Sequence, residues 1–134
     1  MNSIKVLYLV DDDQDDRFFI RKAIQEAGAQ VEIIEAENGL ELLSLMQDQE
    51  NAAASLILLD MNMPKMNGLE TISAIRSDPH TASTHIVMIS TSSSPALIET
   101  AYRAGVDNFI TKPSSFEGFS TLGCELATHY LFRG

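Results

Sequence analysis

The sequence predicts an α/β domain, a parallel β-sheet with helices on both of its faces. Three observations carry this. Residues 56–59 and 86–89 are unbroken apolar runs of strand length, as in strands buried on both faces. Strand-like runs alternate with segments of helical periodicity five times along the chain, which implies right-handed parallel crossovers. Four of the five runs end abruptly at residues able to do chemistry, and the carboxyl edge of an open α/β sheet is where ligands bind.

Each element follows from its local pattern. Lys5-Val6-Leu7-Tyr8-Leu9-Val10 is a first strand, ending in Asp11-Asp12-Asp13. Phe18, Phe19, Ile20, Ala23, Ile24 and Ala27 recur at helical spacing, with Asp15 and Asp16 in the first turn, where the helix dipole favours them, and Gly28 as the stop. Residues 31–35 form a second strand. Asn38-Gly39 opens a second helix with Leu42, Leu43, Leu45 and Met46 on its apolar face, and residues 51–55 connect it to the strand that ends at Asp60. A third helix covers residues 68–75, with Leu69, Ile72 and Ile75 inward, and Asp78-Pro79 ends it. After the strand at 86–89 comes Ser90, and then Ser94-Pro95 as N-cap and first residue of a fourth helix that Gly105 stops. Asn108-Phe109-Ile110 is a short fifth strand leading to Thr111-Lys112-Pro113. Ser115 caps a last helix running to about Leu131. Phe116, Phe119, Leu122, Leu126 and Tyr130 are assigned to the core.

The composition bounds the function. The chain has 134 residues, expected to form one domain over 1–134, with 9 basic against 19 acidic residues and a net charge of −10. That disfavours nucleic acid and anionic membranes as direct ligands. The single cysteine, Cys124, excludes an internal disulfide, and no apolar run approaches the ~18 residues of a membrane span, so a reduced cytoplasmic setting is expected. His80, His85 and His129 have no metal-ligand spacing.

The strand ends converge on one crevice holding Asp11, Asp12, Asp13, Asp60, Ser90 and Lys112. Neighbouring carboxylates repel one another unless a cation sits among them, and an open set of hard oxygen ligands suits Mg²⁺. A divalent cation, an ammonium and a hydroxyl around one remaining carboxylate is what phosphoryl transfer to that carboxylate requires.

With Val10-Asp11-Asp12, Asp60, Met63-Pro64, Gly68, Ser90 and Lys112-Pro113 in this order, the chain resembles the receiver domain of two-component response regulators along nearly its whole length. The resemblance implies a flavodoxin-like sheet of five parallel strands in the order 2-1-3-4-5. It implies Asp60 as phosphoacceptor, supplied by a histidine kinase or phosphotransfer protein, with the protein catalysing only its own phosphorylation and dephosphorylation. Asp12 and Asp60 would ligate Mg²⁺ through their side chains and Asn62 through its carbonyl, and Asp11 would hold a metal-bound water. Ser90 and Lys112 would contact the phosphoryl oxygens, and Ser90 and Phe109 would form the switch. The resemblance also suggests a cis Lys112–Pro113 bond. Thr91 stands where many members carry Ala. Thr91-Ser92-Ser93, Ala101-Tyr102-Arg103 and Phe116 resemble stand-alone regulators paired with bacterial phytochrome kinases, and no output domain is expected after the fifth helix.

Two rival functions fit parts of the pattern. Asp11-x-Asp13 after an apolar strand is also similar to the nucleophile motif of haloacid-dehalogenase phosphatases, although Asp60 would then have no role. A phosphorylation-independent binding module would have no need of the whole set. A homodimer is expected through the face of the fourth helix, fifth strand and fifth helix, because Cys124, Ala127 and Leu131 form a second apolar stripe with Phe132 at its end.

Overall fold

The computed structural model describes residues 4–48 and 53–132. The order is β1 (Lys5–Val10), α1 (Gln14–Glu26), β2 (Val31–Ala36), α2 (Gly39–Gln47), β3 (Leu56–Asp60), α3 (Gly68–Ser77), β4 (Ile86–Ser90), α4 (Pro95–Ala104), β5 (Asn108–Thr111) and α5 (Phe116–Leu126), which continues in one π-helical turn, Ala127–Leu131. The five strands are all parallel, in the order β2-β1-β3-β4-β5. Residues 51–52 of the expected connector lie outside the described residues.

Alternation along the central strands builds two apolar layers. Val6, Tyr8, Val10, Ile57, Leu59, Ile86 and Met88 face α2, α3 and α4. Leu7, Leu9, Leu56, Leu58, Val87 and Ile89 face α1 and α5. β3 and β4 are buried along their whole length, as continuous apolar runs require. The helices begin where capping side chains allow. Asp13, Asn38, Asn67, Ser94 and Ser115 each accept from a backbone N–H of the first turn, and Gly105 closes α4 in the left-handed region. No helix among the described residues is long and apolar enough to cross a membrane.

Three expectations are corrected. Ala127 and Leu131 are buried, so of the expected second stripe only Cys124, with Phe132 at its end, is exposed. For Leu131 the cause is the π-helical turn: Phe132 N–H donates to the Ala127 carbonyl at 2.8 Å, and the wider turn carries Leu131 back into the layer that holds Leu126. Phe116 is exposed, because it is the first residue of α5 and lies beyond the edge of the layer that Phe119 reaches. No described peptide bond is cis, Lys112–Pro113 included, in line with the trans preference of most X–Pro bonds.

Candidate functional site

The chain leaves β1 under tight control. Asp11 N–H donates to the Ala36 carbonyl of β2 at 3.1 Å, and the Asp11 carboxylate accepts from Asp13 N–H at 2.9 Å. Asp13 accepts from Asp15 N–H and Asp16 N–H and so starts α1 within two residues of the strand end. The buried Arg17 donates from Nη1 to the Asp11 carbonyl at 2.6 Å and from Nε to Glu35 at 2.9 Å, tying the loop to β2; Arg21 also pairs with Glu35. The Asp11 side chain is therefore turned into the molecule, wholly buried, while Asp12 stays exposed.

β3 delivers Asp60, 5% exposed, to the same edge. Met61 N–H donates to the Ile89 carbonyl at 3.0 Å, and Gly68 N–H to the Met61 carbonyl at 2.9 Å, so α3 starts almost against the strand end. Only glycine fits this approach. A Cβ on residue 68 would lie 2.9 Å from the Asp60 carbonyl oxygen and 2.8 Å from Met88 Cε. On β4, Ser90 is fully buried and its Oγ accepts from Ser92 N–H at 3.1 Å. Lys112 N–H donates to the Ser90 carbonyl at 2.7 Å, which sets the ammonium side chain over the strand ends.

Four of the sequence-predicted residues, Asp11, Asp12, Asp60 and Lys112, thus meet. Lys112 Nζ lies 2.8 Å from Asp11 Oδ2 and 3.6 Å from Asp60 Oδ2. Asp11, Asp12 and Asp60 can each offer an oxygen within 4.8 Å of the others. Burial, then the charge of Asp11, pushes the Asp60 carboxyl up to about 7, against the pull of Lys112 and of the Asn62 N–H that bonds to it. Burial also raises Asp11, with the ion pair to Lys112 and the Asp13 N–H opposing. For Lys112 burial favours the neutral amine, but the ion pair with Asp11 and the bond to Asp16 outweigh it and the ammonium is held charged. Phe109 is half-buried on β5, packed against the layer that contains Met88 and Ala101.

One lysine cannot neutralise three carboxylates. Asp11 Oδ2 is also the only buried side-chain N or O atom among the described residues that accepts no hydrogen bond, its 2.8 Å approach to Lys112 being an ion pair off the bonding direction. A hard divalent cation fits this donor set.

A family model described as the response regulator receiver domain matches residues 7–121. The chain belongs to the response regulator receiver family. Among its relatives, chemotaxis protein CheY1 of Helicobacter pylori is 36% identical over 107 residues, 80% of this chain and 84% of that protein. Response regulator Rcp1 of Synechocystis is 30% identical over 115 residues, 83% and 78% of the two chains. The phosphorylated cyanobacterial phytochrome response regulator RcpA superimposes with a TM-score of 0.87 at 27% identity, over 96% and 94% of the two chains. The protein is therefore a phosphorelay signalling receiver, and the phosphatase reading of Asp11 and Asp13 falls. In this receiver Asp13 is the cap of α1, with its carboxylate spent on backbone N–H groups.

Two members of the site were not singled out from sequence. Asp16 Oδ2 accepts from Lys112 Nζ at 2.8 Å, and Arg17 anchors the Asp11 carbonyl. Their signal was present: Asp16 and Arg17 lie four and three residues before Ile20, in phase with the inward face of α1, where a charged side chain needs a partner. Phe18, Phe19 and Phe116 stand exposed beside one another on the α1–α5 side.

Proposed function

We propose that Asp60 is the phosphoacceptor. The observation that supports it most directly is one nearly buried carboxylate at the end of the central strand, 3.6 Å from an ammonium and next to a strand that ends in a buried hydroxyl. A carboxylate oxygen of Asp60 attacks the phosphorus of a kinase or phosphotransfer phosphohistidine. A P–O bond forms, the P–N bond breaks with its electron pair going to nitrogen, and the imidazole, already protonated on its other ring nitrogen, leaves neutral. Lys112, held charged by its acidic neighbours, faces the negative charge on the transferring group. The Ser90 hydroxyl, turned from Ser92, donates to a phosphoryl oxygen. Asp12, Asp60 and the Asn62 carbonyl, with Asp11 beside them, would hold Mg²⁺, which would supply positive charge to the transferring group. The crystal structure of Rcp1 in a Mn²⁺-bound form lends support to a divalent cation in this fold.

Output runs through Ser90 and Phe109. Movement of the hydroxyl toward the new phosphate leaves room beside β5, and Phe109 turns inward to fill it. The partner that delivers phosphate is a histidine kinase, phytochrome-like by the similarity to RcpA, or a phosphotransfer protein, acting in the cytoplasm. Association of two copies through α4, β5 and α5 now rests on the exposed Tyr102 of α4 and on that similarity, since Ala127 and Leu131 are buried. Sedimentation at tens of micromolar, with and without a phosphoryl mimic, tests it, and a monomer in both removes it.

The central test is intact mass after incubation with a small phosphodonor and Mg²⁺. One added phosphoryl group is expected, and none in Asp60→Asn. Undiminished labelling of that variant would reject Asp60, and an unlabelled wild type would favour a binding module that works without phosphate.

A further inference from the structure

Lys112 is shared unequally. Its ammonium lies 2.8 Å from Asp11, 2.8 Å from Asp16 and 3.6 Å from Asp60. An ammonium has three protons to give, and the two close approaches are both to carboxylates other than the one proposed to react. Asp11 is fixed in the floor of the site. Asp16 comes from the first turn of α1, 96 residues away in sequence, and its position is set by the Asp13 cap and by Arg17 beside it. With Lys112 only 9% exposed and Asp16 20% exposed, the pair is well shielded from solvent. Such a pair is stronger than one on the open surface.

We propose that Asp16 is a positioning residue that holds Lys112 toward α1 and away from Asp60, and so weakens the grip of the site on a phosphoryl group. This rests on the assignment of Asp60 above. A phosphoryl group on Asp60 adds negative charge within reach of Lys112. To meet it the ammonium must stretch or leave Asp16. If it stays, the fixed negative charge of Asp16 remains beside a second anion. Both routes oppose the phosphorylated state, because the Asp16 contact is fully made only when Asp60 is free. A merely structural ion pair predicts the opposite: its loss would loosen the site and weaken anion binding.

The test is a titration of wild type and Asp16→Asn with beryllofluoride, a small anion that mimics a phosphoryl group, in constant Mg²⁺. Fluorine NMR counts the bound anion. Asp16→Asn is expected to bind about fivefold more tightly, and Asp16→Glu to return toward wild type. In a Lys112→Ala background the gain is expected to vanish, since the effect passes through the ammonium. Asp16→Gln serves as a second neutral variant should Asp16→Asn melt early. Equal or weaker binding by the neutral variants overturns the proposal, as does a gain that survives without Lys112. A wild type that binds no beryllofluoride overturns the Asp60 assignment as well.

Discussion

At Asp60 a carboxylate must carry charge in surroundings that resist it, and pH exposes the conflict. Its pKa is about 7 in the folded receiver, against about 3.9 in an unfolded chain. Between about pH 4 and 7 the unfolded chain has released this proton while the folded one keeps it. The unfolded state then binds fewer protons, so this group lowers stability as pH rises through that window and adds no further slope above it. In metal-free buffer, urea unfolding is expected to show wild type losing stability relative to Asp60→Asn from pH 4.5 to 8, by at most about 4 kcal/mol. Parallel curves for the two proteins would contradict this. Gly68 makes a second residue-scale prediction. Its neighbour is the Asp60 backbone, which cannot yield as a side-chain end can. Gly68→Ala is expected to cost about 1 to 3 kcal/mol by urea unfolding and to slow phosphodonor labelling about tenfold, since the carboxylate proposed to react would shift with the strand end. Asp60, Ser90 and Lys112 were legible in the sequence because each interrupts or ends an apolar run. Asp16 was hidden inside a run of acids that looked like a favourable helix start, and only its phase with Ile20 set it apart.

Among the elements, strands and caps were easiest to read, because the buried parallel strands stay apolar up to their carboxyl ends and a cap demands a polar side chain. The end of α5 was not, since a π-helical turn has no composition of its own. A 3.6-residue period carried on to Leu131 places it outward, whereas one wider turn places it in the core. This changes what Leu131→Glu should do. It is expected to destabilise the fold by about 3 kcal/mol or more, seen as a lowered urea midpoint, because a charge would enter an apolar layer. A variant as stable as wild type would put Leu131 back on the surface. The same helix crosses α1 closely at Gly123, where a Cβ would lie 2.5 Å from the Ala23 Cβ. Gly123→Ala is accordingly expected to cost about 1 to 3 kcal/mol by the same measurement, by pushing α5 from α1.

For the whole molecule, charge is the governing quantity. A net −10 with three carboxylates drawn to one edge makes the apo receiver self-repelling there. Mg²⁺ is expected to stabilise the fold by about 1.4 kcal/mol at ten times its dissociation constant, raising the melting temperature by several degrees. Asp12→Ala should lose most of that response, and a melting temperature indifferent to millimolar Mg²⁺ would contradict the site. The doubly wound order was legible because alternation and resemblance agreed, but what guards its two open edges was not. At the β5 edge, Phe109 N–H donates to the Tyr102 hydroxyl at 3.2 Å and to Asn108 Oδ1 at 2.9 Å, and that hydroxyl in turn donates to Asn108 Oδ1 at 3.1 Å. A strand arriving from another molecule would find this donor already engaged. Tyr102 thus works as a selvedge, keeping the sheet from unravelling into its neighbours at the strand proposed to move when the receiver switches.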